Sequence, residues 1–257
     1  MNNVSISYSS PELKDTAMRF AAQHGYTCSS PEDISTPLVL NFTPEFTELR
    51  DTKKNLDIHI DFCSGSLAHR QQYGGGRGQA IAKAIGLKQG VPPPKVIDAT
   101  AGLAKDAFVL ASLGCSLTLI ERSPVIAELI NDAISRAKAN PQFQSILQNG
   151  FQVISGSSIE FLTKMTGKPD IIYLDPMYPE RKKSASVKKN MQLLQQLLGK
   201  DNDTEELLEV ALTVANKRVV VKRPKSAPSL ANTRPTYQVS TKNTRYDVYI
   251  IKPPELD

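Results

Sequence analysis

Asp175-Pro176-Met177-Tyr178 follows directly on the apolar run Ile171-Ile172-Tyr173-Leu174. A carboxylate, a peptide carbonyl and an aromatic ring therefore stand where a buried parallel strand would end, and ligands of open α/β sheets gather at the carboxyl ends of strands. An exocyclic amine on a flat base needs acceptors for its two hydrogens and a π face against its ring. Asp175 and the Pro176 carbonyl offer the first, and Tyr178 offers the second. Asp-Pro after a strand is also an ordinary turn opener, and the tetrapeptide alone leaves both readings open.

A second group of residues lies upstream, in Asp98-Ala99-Thr100-Ala101-Gly102-Leu103-Ala104-Lys105-Asp106, at the end of one expected strand and the opening of a helix. A dinucleotide site wants G-x-G-x-x-G there, so that a pyrophosphate meets the helix N-terminus. Only Gly102 is present, flanked by acids, which argues against a nicotinamide cofactor and for one without phosphate. S-adenosylmethionine has no phosphate, a cationic sulfonium and a charged amino-acid end, so Asp98 and Asp106 suit it. Glu121 ends the next expected strand, 23 residues on from Asp98, where Rossmann-like folds place an acid against ribose hydroxyls. Ser157 and Ser158 follow the third strand, from which hydroxyls and amides reach an adenine edge; either serine also reads as a helix cap. Asp175 closes the ring of strand-end residues.

The formal charge of +5 points to an anionic partner, and its distribution says more than its size. Arg181, Lys182, Lys183, Lys188 and Lys189 crowd the segment after the tetrapeptide, while Lys217, Arg218, Lys222, Arg223 and Lys225 crowd the next strand and its exit. Two basic clusters beside a base pocket read as phosphate contacts, against the plainer reading of a solvated surface. The glycine run Tyr73-Gly74-Gly75-Gly76-Arg77-Gly78-Gln79 lacks the G-x-x-x-x-G-K-[ST] of a P-loop. It serves either as a hinge or, with Arg77, as a substrate contact.

With 40% apolar and 22% charged residues over 257 positions, the chain has the composition of a globular protein long enough for one α/β domain and an appendage. No apolar run is long enough to span a bilayer and the N-terminus has no signal-peptide pattern, so a cytoplasmic location is expected. Cys28, Cys63 and Cys115 are odd in number and widely spaced, which suits reduced thiols. His24, His59 and His69 form no ligand spacing with them, and no metal site is expected.

The elements that must position these residues alternate from about residue 95. Strands are expected at 95–100, 116–121, 151–155, 170–174 and 218–222, with helices at 105–113, 124–139, 157–165, 187–198 and 204–215 between them. Two closing strands at 237–241 and 247–251 are joined by Lys242-Asn243-Thr244-Arg245, too short for a crossover helix, so the last strand should be antiparallel. This is the outline of a class I methyltransferase: an α/β, Rossmann-like, mostly parallel seven-stranded sheet with an antiparallel last strand. Residues 1–90 read as a small N-terminal α+β domain with a Gly-rich hinge and one helix near 12–24, and residues 91–257 as the Rossmann-like domain.

Taken in order, the glycine run at 73–79, Val96-Ile97-Asp98-Ala99-Thr100-Ala101-Gly102-Leu103, Leu119-Ile120-Glu121-Arg122-Ser123-Pro124, Tyr173-Leu174-Asp175-Pro176-Met177-Tyr178, Lys182-Lys183-Ser184-Ala185 and Lys217-Arg218-Val219-Val220-Val221-Lys222-Arg223-Pro224 resemble the RsmJ family of 16S ribosomal RNA guanine-N2 methyltransferases. The resemblance runs over nearly the whole chain. It implies an S-adenosylmethionine site made by Lys105, Asp106, Glu121, Arg122, Ser157, Ser158 and Asp175, and methylation of the N2 amine of a specific guanine in 16S ribosomal RNA, free or in the small subunit. Lys105 stands where the family commonly has arginine, which keeps the charge and loses the bidentate fork. Met177 stands where amine methylases in general prefer proline. Two rivals remain at this level: methylation of another exocyclic amine, such as a DNA adenine, and a non-catalytic RNA-binding protein on the same scaffold.

Overall fold

The computed structural model describes residues 3–54, 56–64, 76–177, 185–199 and 203–251, with side chains from residue 192 onward in the helix that begins at 185. The glycine run up to Gly75, Tyr178, Arg181, Lys182 and Lys183, and the side chain of Lys188, lie outside the described residues. The chain divides into two compact units, one of Met1–Ile60, Ser123–Ala133 and Arg181–Lys200, the other of Asp61–Arg122, Ile134–Glu180 and Asp201–Asp257.

In the first unit, β1 (Val4–Tyr8), α1 (Lys14–His24), β2 (Thr27–Cys28), β3 (Leu38–Phe42), β4 (Thr47–Asp51) and β5 (Leu56–Ile58) give a sheet of order β2-β1-β3-β4-β5. β1 runs parallel to β2 and β3, and the rest pair antiparallel. Helix α1 stops at Gly25, whose φ of 68° is the left-handed cap that glycine takes without strain. Ile6, Leu38, Leu40 and Leu49 are fully buried. The strand Val4–Tyr8 is absent from the sequence expectations. Its alternating Val, Ser, Ile, Ser and Tyr is too short a signal without β3 beside it.

The second unit carries α2 (Ala80–Ala84), β6 (Lys95–Asp98), α3 (Lys105–Ser112) and β7 (Ser116–Glu121). Helix α4 (Pro124–Ala139) follows, its residues up to Ala133 belonging to the first unit, then α5 (Pro141–Leu147), β8 (Phe151–Ser155), α6 (Ser158–Lys164) and β9 (Ile171–Leu174). After α7 (Ala185–Leu198), which lies in the first unit, come α8 (Thr204–Val214), β10 (Arg218–Pro224), β11 (Tyr237–Ser240) and β12 (Thr244–Ile250). The sheet order is β11-β12-β10-β9-β6-β7-β8, parallel from β10 to β8 and antiparallel where β12 meets β10 and β11. The expected mostly parallel seven-stranded sheet with an antiparallel last strand is the one observed.

Burial explains why these segments are strands. Ile172, Leu174, Val219 and Val221 pack with Leu207, Leu208 and Ala211 of α8 on one face. On the other, Phe62 stacks on Phe108 with ring centroids 4.6 Å apart, and Phe151 meets both edge-on. Continuous Val/Ile/Leu runs are what strands covered on both faces require. One expectation is corrected here. Thr244 and Arg245 belong to β12 rather than to a loop, because the Arg245 guanidinium is buried and satisfied by Asp247 at 2.8 and 3.1 Å and by the carbonyls of Lys225 and Ala227. The turn shrinks to 241–243 and is closed by the Thr241 hydroxyl, which donates to the Thr244 carbonyl. Helix α5 was not expected. Asn140 caps it by accepting from the Gln142 amide, with Pro141 in its first turn.

Candidate active site

The parallel strands deliver polar residues to their carboxyl ends, all within the second unit. Asp98 ends β6, Glu121 ends β7, Ser157 and Ser158 follow β8, and Asp175 follows β9. Register fixes what the fifth parallel strand, β10, brings. Val221 of β10 pairs with Leu174 of β9, so Lys222 lies beside Asp175.

The turn after β6 is wound tightly enough to aim its side chains. Gly102 (φ 51°) and Ala104 (φ 54°) both take left-handed backbone. Glycine does so freely, whereas for an alanine the conformation costs on the order of 1 kcal/mol, repaid here by surrounding contacts. Ala104 donates to the Ala101 carbonyl at 2.8 Å and is 1% exposed, and the Ala101 amide is tied to the Ile120 carbonyl of β7. The Gly102 amide donates to Glu121 Oε2 at 3.0 Å. The amide that a pyrophosphate would use is thus already given to a carboxylate, which agrees with a cofactor that brings none.

Three carboxylates and one ammonium dominate the electrostatics. Lys222 Nζ lies 2.7 Å from Asp106 Oδ2 and 2.8 Å from Asp175 Oδ2. The Tyr173 hydroxyl donates to Asp106 Oδ2 at 2.8 Å. Asp98 is 3% exposed and accepts the Thr100 amide at 3.1 Å. Burial, and then the charges of Asp175 and Asp106, push the Asp98 carboxyl up to about 7, against the opposing Thr100 amide and Lys222. The paired acids outweigh desolvation at Lys222 and hold its ammonium well above the usual lysine range. Burial and the same acids push the Tyr173 phenol well up. A cluster in which one buried acid resists ionising beside two others is a pocket of negative potential that a bound cation relieves. The residues therefore fit S-adenosylmethionine.

Asp175 is held at both ends. Its amide donates to Thr100 Oγ1 at 2.6 Å and its carboxylate meets Lys222, while the side chain stays 40% exposed. Pro176 beside it is buried. The Ser158 hydroxyl donates to the Ala99 carbonyl at 2.7 Å, and Ser157 caps α6 by accepting from the Glu160 amide. Ser157 also borders a cavity of about 320 Å³ lined by Ile120, Ile154, Phe161 and Met165. Lys105 is exposed on the first turn of α3, and Arg122 faces Asp203 at 3.6 Å.

Two residues expected at RNA phosphates are placed elsewhere. Lys222 turns into the carboxylate cluster, and Arg223 is 6% exposed with its guanidinium donating to the Pro228 carbonyl. Arg77 is exposed and donates to the Lys88 carbonyl. Thr100 and Tyr173 are residues of the cluster that sequence reasoning did not single out, and Lys222 is one to which it gave a different role. For Tyr173 a signal existed, since a tyrosine inside a buried run needs a partner for its hydroxyl.

Comparison with known proteins follows the same line. The family model described as "Putative SAM-dependent methyltransferase" matches residues 26–251. The crystal structure of a SAM-dependent methyltransferase from Neisseria gonorrhoeae matches with a TM-score of 0.75 and 34% identity, covering 98% of this chain and 97% of that one. Fold and site define a class I, S-adenosylmethionine-dependent methyltransferase. A ribosomal RNA small subunit methyltransferase J of Colwellia psychrerythraea is 46% identical over 257 residues, covering 97% of this chain and 93% of its own. Its counterpart in Aeromonas salmonicida is 50% identical over 234 residues, covering 90% and 94%. The chain belongs to the ribosomal RNA small subunit methyltransferase J family.

Proposed function

We propose that this chain methylates the N2 amine of a guanine in 16S ribosomal RNA of the small subunit, in the cytoplasm, with S-adenosylmethionine as the methyl donor. The observation that carries the reading is Asp175, a half-exposed carboxylate at a strand end whose backbone and side chain are each anchored from a neighbouring strand end. In this reading Asp98, Gly102, Lys105, Asp106, Glu121, Arg122, Ser157, Ser158 and Asp175 hold the cofactor. Asp175, Pro176 and Tyr178 hold the base. Arg77, Arg181, Lys182, Lys183 and Lys188 meet RNA phosphates, and residues 1–90 form the domain that precedes the catalytic one.

The cofactor supplies an electrophilic methyl group. The guanine amine is a poor nucleophile, because its lone pair is delocalised into the ring, and the chain's own residues must correct that. Asp175 and the Pro176 carbonyl accept the two N–H bonds, which draws the nitrogen towards tetrahedral geometry and turns its lone pair out of the ring plane. Tyr178 stacks on the base and fixes its plane. Placement of this kind is worth roughly 7–11 kcal/mol in ideal cases, with fixed electrostatics added. No strong base is required, since the amine becomes acidic only as its bond to carbon forms, and the proton then leaves by way of Asp175.

The test is methyl transfer from labelled S-adenosylmethionine to small ribosomal subunits that lack the modification, followed by nucleoside mass analysis. N2-methylguanosine at one site is expected. Label in another nucleoside, or none from protein shown to bind the cofactor, would move the reading to a different acceptor.

A further inference from the structure

Lys222 is the point where two sides of the proposed reaction meet. Its Nζ bridges Asp106, in the first turn of α3, and Asp175, just past β9, at 2.7 and 2.8 Å. With a side chain 28% exposed, the ammonium is partly buried between those two acids, and it also offsets part of the charge that Asp98 experiences from them. A lysine needs no such burial to bind an RNA phosphate. Two-thirds of its hydrogen-bonding capacity is spent on carboxylates of the site, and a third carboxylate lies in the same field.

We propose that Lys222 is a positioning residue that fixes Asp175 through one carboxylate oxygen and sets how strongly the pocket prefers the sulfonium cofactor to its thioether product. This rests on the reading of the site given above. The argument follows from charge. Methyl transfer turns a sulfonium into a neutral thioether, so negative charge around the cofactor stabilises the ground state more than the transition state, and such stabilisation slows the chemical step. A pocket with Asp98, Asp106 and Asp175 and no counter-charge would hold the cation too well. The Lys222 ammonium trims that potential and leaves S-adenosylhomocysteine, which lacks the sulfonium charge, almost indifferent to it. The same contact holds Asp175 Oδ2, so that the carboxylate does not rotate away from the base.

The experiment compares Lys222→Gln, which removes the charge and keeps hydrogen-bond donors, with Lys222→Arg, which keeps the charge. Affinities for S-adenosylmethionine and S-adenosylhomocysteine are read by calorimetry, and transfer by single turnover at saturating cofactor and RNA, on protein whose fold is verified by circular dichroism. In Lys222→Gln the ratio of product to cofactor dissociation constants should rise about tenfold, on the order expected for one charge at short range in a partly screened site, while the single-turnover rate falls at least tenfold. Lys222→Arg should restore the ratio and part of the rate. An unchanged ratio in Lys222→Gln, or parallel loss of both affinities, overturns the proposal. The binding ratio needs no RNA, so failure of the wild type to methylate ribosomal RNA would refute the substrate reading and leave the Lys222 proposal to be decided by calorimetry alone.

Discussion

Asp98→Asn should make the ligand-free protein more stable and its cofactor binding weaker, and the first effect should grow with pH. The Asp98 carboxyl moves from an ordinary 3.8 to about 7 on folding, driven first by burial and then by Asp175 and Asp106. A raised acid is one whose charged form the fold disfavours. Below pH 3.8 the group is protonated in both states and contributes nothing. Between 3.8 and about 7 the folded state binds the extra proton, so this group's contribution to stability falls as pH rises, and above about 7 it is flat. At roughly 1.4 kcal/mol per pH unit, the full effect has a ceiling of about 4 kcal/mol; a gain of 1–3 kcal/mol is the realistic expectation once the pocket relaxes. Asparagine keeps an acceptor for the Thr100 amide, now at 3.1 Å, and removes only the charge.

The assay is urea unfolding of wild type and variant at pH 5, 6, 7 and 8, read as the difference between the two so that other carboxylates cancel. The difference should favour the variant increasingly from pH 5 to 8. Calorimetry on the wild type should show proton release on binding S-adenosylmethionine below pH 7, with affinity falling towards acid, and neither effect in the variant. A stability difference that does not vary with pH, or a variant that binds the cofactor as tightly as wild type at pH 8, would refute the account of Asp98 as a strained anion held for a cation.

Asp175→Ala should cost at least two orders of magnitude in single-turnover rate while far-UV circular dichroism stays that of the wild type, because the side chain is 40% exposed. Thr100→Val deletes the acceptor of the Asp175 amide; a stability loss of about 1–2 kcal/mol with a slower transfer rate and near-normal cofactor affinity is expected from the same turnover and calorimetry assays. Asp247→Ala strands Arg245 in the buried edge of the β11–β12 hairpin, at a cost of about 3–5 kcal/mol, measurable in urea. Ala substitution at both Lys182 and Lys183 should weaken RNA binding and flatten its salt dependence, followed by filter binding across a salt titration.

Which parts of this molecule were legible in its sequence follows from the range of the interactions involved. The strands at 95–98, 116–121, 151–155 and 171–174 announce themselves because each is a short segment rich in Val, Ile, Leu, Phe or Tyr with a Pro or Gly breaker before it, and their carboxyl ends could be named before any pairing was known. Asp98, Glu121, Ser158 and Asp175 were singled out as candidates for that reason. The sequence expectation that the last strand is reversed rested on loop length alone, since the four residues Lys242-Asn243-Thr244-Arg245 leave no room for a crossover helix; the structure shortens that turn to 241–243 and keeps the antiparallel pairing. Helix α5 was missed although Asn140-Pro141 is a start signal, because seven residues are too few for the apolar period to show.

Lys222 was misread for a physical reason rather than for want of a motif. A lysine flanked by Arg223 and followed by Lys225 reads as a solvated basic run, and for Lys225, which is exposed, that holds. The difference between the two is set by one register, Val221 against Leu174, joining residues almost fifty positions apart. Nothing local encodes it. The same register explains why the site tolerates three acids at the mouth of one sheet. The ends of β6 and β9 and the first turn of α3 each contribute a carboxylate, and β10 is aligned to return a cation to two of them. A one-residue slip of β10 would turn Lys222 to the opposite face and leave Asp106 and Asp175 without it. The buried Arg245–Asp247 pair on β12, and the seven-residue pairing of β12 with β10 that it anchors, thus bear on the chemistry from outside the pocket: they hold the strand whose alignment puts the positive charge in place.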